Sequence, residues 1–296
     1  MASASPLPFS THPSLQRRLR CGRFTLELNR PLIMGVVNVT PDSFSDGGQF
    51  LEVDAASARA HELARQGADL LDLGGESTRP GARPVSAAEE LDRVLPVLNA
   101  LRGLDLPLSV DTRKPEVMRA ALAAGASMIN DIEALHSQTS LEAVAASDCA
   151  VCLMHKQGDP QSMQQDPRYS DVVREVREFL ARRVAVCEAQ GISRSRIVID
   201  PGFGFGKRSA HNLTLLRDLP ALASLGVPLL VGLSRKSTLG RITGEPVERR
   251  TAASVTAAVL AVQRGAAIVR VHDVAATRDA LRVLAAVDGE DDIFDD

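Results

Sequence analysis

Only four cysteines occur in 296 residues, too few for a disulfide scaffold in a chain of this length. Cys149 and Cys152 have a C-x-x-C spacing, but both fall in an apolar run expected to be a strand, where positions three apart point to opposite faces. A redox dithiol is therefore not the expectation, and a reducing compartment suits the chain. Long apolar runs are missing as well. No stretch approaches the ~20 uninterrupted residues that span a bilayer, so a soluble protein is expected. An excess of one charge is also absent: 34 Lys and Arg face 37 Asp and Glu, a net charge of −3. That balance offers no general attraction to nucleic acid or to an anionic membrane. The N-terminus lacks acids, the first being Glu27, and its Ser-, Pro- and Arg-rich start is reminiscent of a transit peptide. It has no long apolar core, which excludes a secretory signal. The expectation is an unstructured leader over residues 1–20 of a cytoplasmic protein.

What is present is an ordinary globular composition, 45% hydrophobic and 24% charged, and a recurring pattern. Eight short apolar runs each end in residues suited to chemistry. Residues 32–37 lead to Asn38, 70–73 to Gly74, Gly75 and Glu76, and 106–110 to Asp111. Residues 128–129 lead to Asn130 and Asp131, 149–154 to His155, and 197–199 to Asp200. Residues 229–233 precede Ser234, Arg235 and Lys236, and 266–271 precede His272 and Asp273. Helical spacing fills the intervals. Alternating strand and helix implies a parallel sheet with crossovers. Eight units imply a closed (β/α)₈ TIM barrel, which commonly uses ~250 residues and carries its active site at the C-terminal ends of the strands.

Residues 21–28 alternate apolar and polar, which predicts a short N-terminal β segment covering the bottom of the barrel. Long loops follow strands one (38–50) and two (74–84). Helices are expected near 53–66, 87–101, 115–124, 141–146, 171–190, 212–216, 251–263 and 275–286. Ser86 and Glu89 are spaced as a capping box, and Pro115 suits a first helical turn. The organisation expected is one domain over 21–288, then an acidic tail, 289–296.

The loop Asn38-Val39-Thr40-Pro41-Asp42-Ser43-Phe44-Ser45-Asp46-Gly47-Gly48 gathers oxygen donors around one aromatic. Such ligation suits Mg²⁺, which keeps waters and binds few protein atoms beside substrate phosphates. The loop Gly74-Gly75-Glu76-Ser77-Thr78-Arg79-Pro80-Gly81 joins hinges to a cation able to receive a carboxylate or phosphate. Asp72 should point into the barrel, where a structural pairing with a base such as Arg270 and a direct functional role both stay open. Asp111, Asn130 and Asp200, at three strand ends, complement a flat heterocycle with an amino group beside a ring N–H. Gly202-Phe203-Gly204-Phe205-Gly206-Lys207 matches no phosphate-loop pattern and instead presents Phe205 to the mouth. Ser234-Arg235-Lys236-Ser237 opens a helix and, with two cations, suits an anion. Arg270 and His272 share a strand face, so a guanidinium can stack over an aromatic plane while the imidazole donates to an anionic leaving group.

These runs closely resemble the dihydropteroate synthase family. The two long loops carry the resemblance together with Ser109-Val110-Asp111-Thr112, Ile129-Asn130-Asp131-Ile132, Asp200 to Lys207, Ser234 to Ser237, and Arg270-Val271-His272-Asp273. It covers about residues 24–286, with one local departure at Lys156, where the family often has an apolar residue. The resemblance implies condensation of 4-aminobenzoate with (7,8-dihydropterin-6-yl)methyl diphosphate, giving dihydropteroate and diphosphate in folate biosynthesis. It places the pterin on Asp111, Asn130, Asp200 and Lys236, with Arg270 over its face and Met154 lining the pocket. Thr78, Arg270 and His272 match diphosphate-side positions, and Asn38 matches the Mg²⁺ ligand. Phe44, Arg79, Pro80, Phe205 and Ser237 match the aminobenzoate pocket. It also implies a homodimer.

The mechanism expected is dissociative substitution: Mg²⁺ held on Asn38, together with the side chains of His272 and Arg270, would draw off diphosphate, with Lys236 and Asp46 also among the catalytic groups. Closure by Phe44 and Asp46 would exclude water. A corrinoid methyltransferase barrel would share the Asp/Asn/Asp pocket but needs neither long loop nor the Ser-Arg-Lys-Ser seat. A non-catalytic pterin-binding barrel would not need Asn38, Lys236 and His272.

Overall fold

The structure, a computed structural model, describes residues 18–39, 49–76, 84–159 and 162–289. It opens with a hairpin in which β1 (Arg18–Cys21) pairs antiparallel with β2 (Phe24–Glu27). Regular structure thus starts inside the stretch expected to be a leader. The reason is that the alternation reaches back to Leu19, which is buried beside Cys21 while Arg18 and Arg20 face outward.

Eight strands follow: β3 (Leu32–Asn38), β4 (Leu70–Gly74), β5 (Leu108–Asp111), β6 (Met128–Asp131), β7 (Ala150–Met154), β8 (Ile197–Asp200), β9 (Leu230–Val231) and β10 (Ile268–Val271). All are parallel, in the order β8-β7-β6-β5-β4-β3-β10-β9. A parallel bridge from Ile199 to Leu229 joins the two ends, closing the (β/α)₈ barrel that the eight runs imply. The ladder of β9 is shorter than the five residues expected. Leu229, at its start, joins only through the isolated bridge to Ile199, and its carbonyl is shared by the Ala267 and Ile268 N–H groups at 2.9 and 3.1 Å.

Around the barrel lie α1 (Gln49–Arg65), α2 (Ala87–Ala100), α3 (Pro115–Ala123), α4 (Gln138–Ala145), α5 (Val172–Ala189), α6 (Ser209–Arg217), α7 (Pro220–Ala223), α8 (Ser237–Thr243), α9 (Thr251–Val262) and α10 (Val274–Asp288). The capping box forms as read: Ser86 Oγ accepts the Glu89 N–H at 3.2 Å and Glu89 accepts the Ser86 N–H at 2.9 Å. α4 starts three residues earlier than expected because Ser137 caps it, accepting the Ser140 N–H at 3.0 Å. No helix among the described residues is long and apolar enough to cross a membrane.

Two apolar clusters follow the period-two alternation of the strands. One set of positions, including Ile33, Leu71, Val110, Ile129, Val151, Ile199, Val231 and Val269, packs outward against the helices. The other set, Leu32, Met34, Leu70, Met128, Cys152, Val198, Leu230 and Ile268, fills the barrel. Cys149 belongs to the first cluster and Cys152 to the second, the opposite facing expected of them. Leu19, Cys21 and Leu28 of the hairpin region join the interior cluster from below. Cys21 donates to the Ser127 carbonyl at 3.2 Å and the Gly22 N–H to that of Asp148 at 3.1 Å, just before β6 and β7 begin. The hairpin therefore plugs the bottom, leaving the opposite mouth for chemistry.

Candidate active site at the barrel mouth

Continuing each interior set upward by twos leads from Met34 to Asn38, Leu70 to Asp72, Ser109 to Asp111, and Met128 to Asn130. It leads likewise from Cys152 to Met154, Val198 to Asp200, and Ile268 to Arg270 and His272. The residues that plug the lower barrel and those offered to a ligand are thus the same face of the same strands. The next residues along, Asp131, His155 and Asp273, lie on the other parity and do structural work instead.

Arg270 is the hub. Its Nε donates to Asp72 at 2.6 Å and its Nη2 to Asp111 at 3.1 Å. Asp72, fully buried, also accepts from Asn130 Nδ2 at 3.1 Å, so both roles left open for it concern one network: it is the floor that aims Arg270 and Asn130. Burial opposes the Arg270 charge, yet Asp72 and Asp111 outweigh it and hold the guanidinium above its ordinary value. The Asp111 carboxyl is pushed up to about 7, first by burial and then by the Asp72 charge, with Arg270 opposing both. Asp111 caps no helix; its carboxylate belongs to the mouth.

Asp200, buried, accepts the Gly202 N–H at 2.7 Å. Burial raises its carboxyl, and Lys236 is the foremost charge opposing that rise. Lys236 donates its Nζ to the Phe203 carbonyl and sits 4.6 Å from the centre of the Phe205 ring, a cation–π contact. Burial lowers its ammonium to about 8, against the pull of Asp200. Met154 is buried in register with Asp200. His272 accompanies Ser234, whose Oγ lies 3.0 Å from the His272 Nδ1 and accepts its backbone N–H at 3.2 Å. Asn38 is exposed at the end of β3, and Ser237 is exposed as the first residue of α8. Phe44, Asp46, Thr78, Arg79 and Pro80 lie outside the described residues.

The glycine-rich stretch after β8 holds what sequence reasoning missed. Lys207 turns inward rather than toward an anion. Its buried Nζ donates to the carbonyls of Gly202 at 3.0 Å, Phe205 at 3.1 Å and His155 at 3.3 Å, and lies 2.9 Å from His155 Nδ1. Burial drives this ammonium well below its ordinary value; burial and the Lys207 charge lower His155 to about 3, a neutral acceptor. Tyr169 donates to the Gly206 carbonyl at 2.8 Å. Both Gly202 and Gly206 have positive φ, and a Cβ there would meet the His155 carbonyl at 1.8 Å or the Gln157 carbonyl at 2.2 Å. The loop carrying Phe205 is thus wired from below. Its only sequence signal was a lysine closing three spaced glycines. Asp131 caps its own turn, accepting the Glu133 and Leu135 N–H groups at 2.8 Å each. Lys156, the departure noted above, pairs with Glu133 at 2.8 Å on the rim.

This arrangement can hold a flat polar heterocycle: acids for its donors, a cation at its edge, and a guanidinium over the pocket floor. Comparison with known proteins agrees. Residues 34–272 match the family model described as pterin binding enzyme. The chain is 52% identical over 275 residues to the dihydropteroate synthase of Neisseria meningitidis serogroup B, covering 90% of this chain and 96% of that one. It is 56% identical to a solved Xanthomonas albilineans dihydropteroate synthase with 4-aminobenzoic acid, with a TM-score of 0.87 over 92% of this chain and 98% of that one. A second structure from that organism, in complex with 7,8-dihydropteroate, gives 51% identity and a TM-score of 0.82, with coverage of 92% and 98%. With the barrel, its mouth and these likenesses in agreement, the chain belongs to the dihydropteroate synthase family of pterin-binding enzymes.

Proposed function

We propose that this enzyme joins 4-aminobenzoate to (7,8-dihydropterin-6-yl)methyl diphosphate, forming 7,8-dihydropteroate and diphosphate in folate biosynthesis. The observation that carries the reading is the convergence of Asp111, Asn130, Asp200, Lys236 and Arg270 on one mouth of the barrel. Asp111 and Asp200 accept from the amino and ring N–H groups of the pterin. The guanidinium of Arg270, held by Asp72, lies over its face.

The step proposed is a dissociative substitution. The bond between the pterin methylene and the diphosphate oxygen breaks, and its electron pair leaves with diphosphate. Arg270 and His272 face the departing charge, while the carboxylates of Asp111 and Asp200 tolerate cationic character on the pterin. The lone pair of the aromatic amine then forms the new C–N bond, and its proton passes to solvent. No covalent intermediate with the protein is required.

Asn38 fits a magnesium ion, because its exposed amide oxygen is the kind of single donor such an ion takes beside water and substrate phosphates. Among the described residues, no three His, Cys, Asp or Glu side chains gather into an all-protein metal site, which leaves the diphosphate itself as the natural co-ligand. When bound, the ion would supply charge neutralisation to the leaving group. Phe205 and Ser237 are assigned to 4-aminobenzoate, together with Phe44, Arg79 and Pro80 by resemblance; Thr78 joins the diphosphate side, and Asp46 the closing loop. We place the enzyme in the cytoplasm and as a homodimer, for which exposed Val283 and Val287, one turn apart on α10, offer an apolar strip that sedimentation equilibrium can test.

The deciding assay incubates the protein with both substrates and Mg²⁺ and measures diphosphate release with dihydropteroate formation. Release of diphosphate coupled one-to-one to dihydropteroate is expected. Absence of both from folded protein would end the proposal.

A further inference from the structure

Arg235 stands between Ser234 and Lys236 with φ of +59°, in the left-handed region that residues other than glycine rarely occupy. Three parts of the chain hold it there. Its N–H donates to Ser254 Oγ of α9 at 2.9 Å, and its carbonyl accepts from Arg250 Nη1 at 3.0 Å. Its guanidinium grips Asp273 with a two-point fork, Nη2 to Oδ1 at 2.6 Å and Nε to Oδ2 at 3.1 Å. The cation that the sequence offers to an anionic ligand is therefore already committed to a carboxylate. Asp273 is not otherwise employed as a cap: it precedes α10 but its side chain makes no capping bond.

We propose that Asp273 is a positioning residue of the active site: its fork to Arg235 keeps the strained turn after β9 in place and so sets where Lys236 and Ser237 stand. The inference rests on the reaction proposed above and deepens it. The neighbours on either side of the strained peptide show what is at stake. Ser234 meets His272, and Lys236 meets the Phe203 carbonyl and the Phe205 ring. Because Asp273 directly follows His272, the fork also ties the loop after β9 to the loop after β10. A left-handed backbone that persists at a functional site must be over-determined by its surroundings, and here a bidentate ion pair supplies that constraint.

The test uses glycine, which adopts this backbone without steric cost. Asp273→Ala should raise KM for 4-aminobenzoate and for the pterin diphosphate roughly 5–30-fold, the equivalent of the ~1–2 kcal/mol that a left-handed residue holds. Arg235→Lys keeps the charge and loses the fork, and should reproduce the effect. Arg235→Gly, and Arg235→Gly combined with Asp273→Ala, should both return KM to within about threefold of the parent enzyme, since the turn then needs no restraint. Circular dichroism and urea unfolding accompany each variant. The proposal is overturned if Asp273→Ala leaves KM unchanged, or lowers only stability. It is equally overturned if Arg235→Gly is as impaired as Asp273→Ala, which would make the guanidinium itself the needed group. An inactive parent enzyme would instead sink the reaction assigned to the site.

Discussion

Asp72→Asn probes the site at its floor. Asp72 is fully buried and gives Arg270 its shortest contact, 2.6 Å, while Asp111 shares the same guanidinium at 3.1 Å. Two carboxylates on one guanidinium stand roughly 6 Å apart, and at an effective dielectric of about 20 their repulsion is about 2.8 kcal/mol, or about two pKa units. That repulsion is the second cause, after burial, of the raised Asp111 value of about 7. The carboxyl is protonated below that value and ionised above it, so pterin binding through the carboxylate should strengthen as pH rises through about 7. Asparagine removes the repulsion and leaves Arg270 wholly to Asp111, and both changes act in the same direction. The acid limb of kcat/KM for the pterin diphosphate should therefore move to lower pH by at least about one unit, reported as an apparent value of the coupled site. Stability should fall at the same time. Among the described residues the Asp72 Oδ1 has no hydrogen-bond partner, and replacing it by an amide donor buries an unsatisfied N–H beside a weakened ion pair, about 2–4 kcal/mol together. Steady-state kinetics between pH 5 and 9, with urea unfolding, reads both quantities. An acid limb that stays in place, or moves upward, would refute the electrostatic account of Asp111.

Asp200→Asn should reduce pterin affinity by roughly tenfold or more through loss of a charge-assisted pair, and unchanged affinity by isothermal titration would contradict the pocket assignment. Lys236, lowered to about 8, is charged below that value and neutral above it, so kcat/KM should decline through about 8. In Lys236→Arg that alkaline limb should disappear, because a guanidinium keeps its charge. Leu19→Ala empties part of the barrel plug and should cost about 2–5 kcal/mol in urea unfolding while leaving KM for both substrates unchanged; altered KM would show that the hairpin reaches the mouth.

The architecture was largely written along the chain. Apolar runs separated by helical spacing dictate strands and crossovers whatever their order in space, and a local capping box such as Ser86 with Glu89 depends on four residues alone. Local chemistry also marked Asp111, Asn130, Asp200, Arg270 and His272 as strand-end groups, and the parity of each strand sends them inward with Met34, Leu70 and Met128. Parity equally explains why Asp131, His155 and Asp273, polar residues at the same strand ends, serve the scaffold. Partnership was not written locally. That Asp72 also receives Asn130, 58 residues away, and that Lys207 ties Gly202 and Phe205 of its own loop to His155, depends on which strands become neighbours when the sheet closes. A buried ion needs a partner, and only closure of the barrel decides which partner it meets. The sequence names the groups by their chemistry; the closed ring supplies the distances that turn those groups into a site.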